Sequence, residues 1–118
     1  MTISVMSMTA EEFDQYALLP ENADKILEYI VGEIYNKMSS NPYASKISLR
    51  LGRLIGNFVD DHDLGHVTGE AGGYKIGFQE RYAPDVAFVS KARQAELNTS
   101  GYNDVPPIWR LRWNFRPI

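Results

Sequence analysis

"YAPDVAFV", residues 82–89, sets a carboxylate inside an otherwise apolar strand, directly after a proline. A charged group at such a place is costly unless it is hydrogen-bonded, paired or bound to a metal. Two readings of Asp85 follow from the residues alone. It accepts backbone hydrogen bonds at the start of a strand, or it is a metal ligand. The stretches on either side supply the context.

Upstream, the apolar period is helical from Ala44 to Asp60. Ile47, Leu51, Leu54, Ile55 and Phe58 fall on one stripe and predict an amphipathic helix with that stripe on the core. Lys46, Arg50, Arg53 and Asn57 form a second stripe, centred roughly 120° away. That stripe is either a solvated face or an edge that meets phosphate. Ser39, Ser40, Asn41 and Pro42 are read as breaking the pattern before the helix.

Further upstream, "KILEYIVGEIYNKMS" (25–39) reads as two strands joined at Val31-Gly32. Ile26, Glu28 and Ile30 share one face; Leu27, Tyr29 and Val31 share the other. Thr9 and Glu12 have the spacing of a capping box and predict a short helix from Ala10 to Leu18. Between the long helix and Asp85 lie two strand-like runs, "GHVTGE" (65–70) and "GYKIGF" (73–78). Beyond Asp85, "SKARQAEL" (90–97) predicts a short helix capped by Ser90, followed by a loop over 98–107.

These pieces, in this order, resemble the Uma-type restriction endonuclease family, a branch of the PD-(D/E)XK nuclease superfamily. The residues that carry the resemblance are "MTAEEF" (8–13), "LEYIVGEIY" (27–35), "ISLRLGRLIGNFVDDHDLGHV" (47–67), "GEAGGYKI" (69–76) and "APDVAFVSKAR" (83–93). The resemblance spans nearly all of residues 8–107. One departure is Val31, where the family usually has an Asp before the glycine.

The resemblance implies an α/β, restriction-endonuclease-like fold, with a mixed β-sheet flanked by helices and incomplete at the C-terminus. It implies hydrolysis of DNA phosphodiesters with Mg²⁺ or Mn²⁺. Asp85 matches the family's Pro-Asp acid, a catalytic residue and metal ligand. Glu33 matches the acid of the family's "DGEI" segment, here "VGEI", and is a catalytic candidate. Glu70 matches an acid before the "GGYKI" strand and is a candidate metal ligand. Lys46, Arg50 and Arg53 are the candidate nucleic-acid contacts. Such a cluster of acids suits a hard divalent cation, which takes oxygen ligands and lowers the pKa of a bound water.

The end of the chain departs from this pattern. Where the family carries its second acid, in a segment like "PPDLAVEVLSP", this chain reads "PPIWRLRWNFRP". The chain therefore divides into residues 1–107, the N-terminal part of a nuclease domain, and an atypical tail, 108–118. Residues 1–107 hold nine Lys+Arg against fifteen Asp+Glu, a net −6; the tail holds three Arg and no acid. With suitable codons for 107–118, a reading begun one nucleotide earlier gives Asp-Leu-Ala-Val-Glu-Val-Glu-Phe-Ser-Pro-Asp, close to the missing strand. The tail is thus expected to be the out-of-frame product of a shift near Pro107. Two other readings stand beside this one. The alternation of Trp109, Leu111, Trp113 and Phe115 with Arg110, Arg112 and Asn114 suits a half-buried edge strand. Arginines among aromatics also suit a tail that tracks nucleic acid.

Whether this chain is an active enzyme is left open by that missing acid, and an inactive or weakened endonuclease is the first expectation. The alternative is a non-catalytic interaction module that uses the scaffold and the apolar tail. Expected partners are DNA and a second copy of the chain, with no membrane. Zero cysteines exclude disulfides and thiolate chemistry. The N-terminus has no signal-peptide pattern, so a cytoplasmic location is expected. "HDLGH" (62–66) lacks the glutamate of a metalloprotease helix, and the glycine-rich "GEAGGYKIG" (69–77) lacks a phosphate-loop ending.

Overall fold

The computed structural model describes residues 2–4, 8–37, 41–77 and 79–112. In chain order they form β1 (Thr2–Ser4), α1 (Ala10–Ala17), a 3-10 turn (Pro20–Asn22), β2 (Leu27–Ile30), β3 (Glu33–Asn36), α2 (Pro42–Asp61), β4 (Gly65–Thr68), β5 (Tyr74–Ile76), β6 (Glu80–Tyr82), β7 (Val86–Ser90) and β8 (Trp109–Leu111). The fold is α/β and restriction-endonuclease-like: two helices on two antiparallel sheets, ordered β1-β3-β2-β6-β5 and β4-β7-β8. A parallel bridge between Tyr74 and Asn103 ties the loop after β7 to the first sheet.

α1 begins where the capping box expects it. Thr9 Oγ1 accepts from the Glu12 N–H at 3.0 Å, and Glu12 Oε1 accepts from the Thr9 N–H at 2.9 Å. The helix lays Ala10 and Phe13 onto Leu27, Tyr29 and Ile34. Phe13 stacks on Tyr29 with centroids 5.1 Å apart, and Tyr102 tilts against it at 5.6 Å. Burying a side chain like Phe13 contributes about 2 kcal/mol. Arg81 on β6 reaches this helix as well, donating to both oxygens of Asp14 at 2.8 and 3.0 Å. A second cluster joins Tyr74 of β5 to Ala87 and Val89 of β7.

α2 forms as expected, but starts earlier and is rotated. Asn41 caps it, accepting from the Ala44 N–H at 2.9 Å, and Pro42 opens its first turn instead of breaking it. The helix packs on β4 and β7. Its buried positions are Ala44 and Val59, while Leu54 is 56% and Phe58 57% exposed. Its small side sets the docking: a Cβ on Gly52 would lie 3.8 Å from Val86 Cγ2. The expected stripe therefore straddles the edge of the contact, with Ile47, Leu51 and Ile55 half-buried.

Two other expectations change. Residues 91–97 are not a helix: Ser90 is spent on strand pairing with Gly65, and its carbonyl holds only a single turn through Arg93 and Gln94. β6 has no sequence signal, because Glu80-Arg81-Tyr82 has no apolar alternation. In the tail, Trp109–Leu111 pairs antiparallel with β7 as an edge strand, Phe88 opposite Trp109 and Val86 opposite Leu111. Trp113 and Phe115 lie outside the described residues.

Candidate active site

The β2–β3 hairpin turns on two residues with positive φ, Val31 at 51° and Gly32 at 78°. That is the backbone of a tight type I′ turn. The turn sets the register, pairing Ile30 with Glu33, Glu28 with Tyr35 and Leu27 with Asn36. Leu27, Tyr29 and Ile34 consequently face α1. Alternation sends Glu28 to the opposite face with its partner Tyr35. Lys37, just past β3, is held by its N–H to the Ile26 carbonyl at 2.8 Å.

That face meets the link between β6 and β7, residues 83–85. The Ala83 N–H donates to Glu28 Oε2 at 2.8 Å. Lys37 Nζ donates to the Ala83 carbonyl and to Asp85 Oδ1, both at 2.7 Å. Pro84 has no N–H to satisfy in this buried link. The Asp85 N–H donates to the Leu111 carbonyl at 3.0 Å, which anchors β8 beside it. One residue further, Arg112 grips Glu28: Nη1 to Oε2 and Nη2 to Oε1, both at 2.6 Å. Glu28 is 1% exposed. Its hydrogen bond to Arg112 is the first cause that raises the guanidinium above its ordinary pKa. Burial opposes that rise, and the charges of Glu28, Asp85 and the nearby Tyr82 add to it.

The result is a seam between the two sheets where two carboxylates and two cations converge. Asp85 stands at its centre. Glu33 points to the same face as Glu28 but lies at the turn end of β3, roughly 13 Å along the strand from Lys37. Glu70 leaves the second sheet just after Thr68, whose partner is Ala87, so it emerges at the end of β7 that carries Asp85. It is exposed in the turn there. Lys46, Arg50 and Arg53 are exposed on α2. His62 caps the end of α2, and His66 on β4 contacts the carbonyls of Gln94 and Ala95.

Three residues of the seam, Glu28, Lys37 and Arg112, are not among the sequence candidates. Glu28 had a usable signal: like Asp85, it is a carboxylate in an apolar strand. Lys37 and Arg112 had none, since each is placed by contacts distant in sequence.

A family model with the description "Putative restriction endonuclease", Uma2, matches residues 10–111. The chain belongs to the Uma2 family. No curated protein matches it. Among the described residues of this Uma2 chain, no helix is long and apolar enough to cross a membrane.

Nucleases of this type usually use divalent metals. As arranged, the seam does not fit one. Both Glu28 oxygens are taken by Arg112, and Oε2 also accepts from Ala83; Lys37 takes Asp85 Oδ1 and the Ala83 carbonyl. The two side-chain cations already balance the two carboxylates. Among the described residues no group of three His, Asp or Glu side chains gathers to hold an ion.

Proposed function

We propose that this Uma2 chain is an endonuclease of the PD-(D/E)XK type directed at DNA phosphodiesters, with hydrolysis lost or strongly weakened. The observation that carries the reading is the meeting of Asp85, Lys37 and Glu28 at one seam. Asp85 is the principal acid, and Lys37 holds its carboxylate in place. Glu28 takes the auxiliary role on this geometry; Glu33 is the competing candidate and Glu70 a more distant one.

The weakening follows from the count of acids. In the alternate frame begun at the last base of Pro107, and with the codons that give the acidic strand, the first Glu falls at position 112. That is where Arg112 stands in this chain. An acid there would join Glu28 and Asp85; the arginine instead neutralises one of them. The nucleotide sequence across codon 107 decides the origin of the tail: a one-base shift that restores an acidic strand supports it, and its absence refutes it.

The test of function is an assay with plasmid and single-stranded DNA in Mg²⁺ or Mn²⁺. The chain is expected to bind DNA in a salt-dependent way without robust cleavage. Charge reversal at Lys46, Arg50 and Arg53 is expected to weaken binding and flatten its salt dependence. Robust cleavage that survives Asp85→Ala contradicts the proposed centre. Absence of DNA binding favours the interaction module.

A further inference from the structure

Glu28 is the most buried carboxylate of the seam, and its charge is met from an unusual place. The cation comes from Arg112, one residue past the edge strand β8, with its side chain 33% exposed. The guanidinium covers both carboxylate oxygens, and among the described residues the Ala83 N–H is the other donor to Glu28. Lys37 holds the neighbouring acid independently. Removing the Arg112 charge alone would leave one uncompensated, almost fully buried carboxylate beside the Asp85–Lys37 pair. A buried carboxylate without a counter-charge is strongly destabilising. A hard divalent cation, which takes carboxylate and water oxygens, is a chemically suitable replacement.

We propose that the Arg112 guanidinium is the resident cation of a latent divalent-metal site anchored on Glu28 beside Asp85. The chain is metal-refractory because it carries this cation in its own backbone register. The inference deepens the nuclease reading and rests on it for the identity of the site. Its test needs no nucleic acid, so the two fail separately: a cation result speaks to the seat, and a cleavage result to the reaction.

The experiment titrates Mn²⁺ into the intact chain, Arg112→Met, and Arg112→Met with Glu28→Gln, following heat of binding and Tm. Met keeps an apolar stem of similar length and is a poor ligand for hard Mn²⁺. The intact chain is expected to show no saturable binding. Arg112→Met is expected to gain one saturable site and a Tm rise of roughly 5 °C at tenfold excess over Kd. The double variant is expected to lose both. If Arg112→Met is unfolded in metal-free buffer, Mn²⁺ is expected to restore its circular dichroism. Equal Mn²⁺ binding by the intact chain overturns the proposal. So does an Arg112→Met chain that neither binds Mn²⁺ nor refolds with it, or one whose binding survives Glu28→Gln.

Discussion

Lys37 Nζ lies 2.7 Å from Asp85 Oδ1 and 2.7 Å from the Ala83 carbonyl, so one ammonium from the first sheet fastens the start of β7 in the second. Both side chains are about six-sevenths buried, at 14% and 13% exposure. Screening by water is weak there, and removal of one partner is costly.

Lys37→Met is therefore expected to destabilise the chain by about 3 kcal/mol, the lower end for a broken buried pair. Urea unfolding measures it. A loss below roughly 1 kcal/mol, the range of exposed pairs, contradicts the burial of this contact.

Val31 sits at φ 51° in the hairpin turn and is 81% exposed. A β-branched residue there is strained, at a cost of about 1–3 kcal/mol, and its side chain has little packing to lose. Asn tolerates this conformation. Val31→Asn is expected to raise stability by about 1 kcal/mol and Tm by roughly 4 °C. An unchanged or lower Tm argues against a strained turn.

Much of the local structure was legible because local chemistry decides it. The Thr9–Glu12 box, the Val31-Gly32 turn and the period of α2 each lie within a few residues of one another. The orientation of α2 was not legible, because its buried positions are Ala44 and Val59 and its close approach to β7 is at Gly52, none of them on the apolar stripe. β6 was hidden for a related reason: Arg81 finds Asp14 67 residues away. The same limit explains the site. Asp85 stood out as a carboxylate in an apolar strand, but its neighbours depend on how two sheets meet. Glu28 and Ala83 are 55 residues apart, and Glu28 and Arg112 are 84 apart.

Burial, first, and the charges of Glu28 and Asp14, second, raise the pKa of Tyr102 above its ordinary value of 10.0. Its hydroxyl also donates to the Leu27 carbonyl, which only the neutral form can do. The folded state thus keeps a proton that the unfolded state releases above pH 10. The stabilisation is fully present below pH 10 and is lost as pH rises beyond it, by about 1.4 kcal/mol per unit for this group. Tyr102→Phe is expected to flatten that alkaline limb in denaturant titrations at stepped pH. An unchanged slope contradicts the assignment.

The outer side of α2 exposes Leu54 and Phe58, with Lys46 and Arg50 in its N-terminal half, Arg53 just past its middle and Asp60 and Asp61 at its end. An antiparallel second copy would set Ile47 against Phe58, Leu51 against Leu54 and Lys46 near Asp60. Concentration-dependent association is expected in sedimentation experiments, and Leu54→Gln with Phe58→Gln is expected to abolish it without lowering the Tm of the monomer. A chain that stays monomeric at all concentrations contradicts this pairing.

The central claim is that the Asp85–Glu28 seam is the nuclease centre. Its most direct measurement is divalent-metal-dependent DNA cleavage by a chain carrying the proposed alternate-frame strand after Pro107, the restored chain, beside the 118-residue chain. The 118-residue chain is predicted to be silent and the restored chain to cleave. In the restored chain, Asp85→Ala and Glu28→Gln are each predicted to lower the rate by about 10²-fold or more, the scale of a lost catalytic group. Glu33→Gln is predicted to leave the rate largely intact. Cleavage that ignores both Asp85→Ala and Glu28→Gln, or that depends on Glu33 instead, would contradict the account.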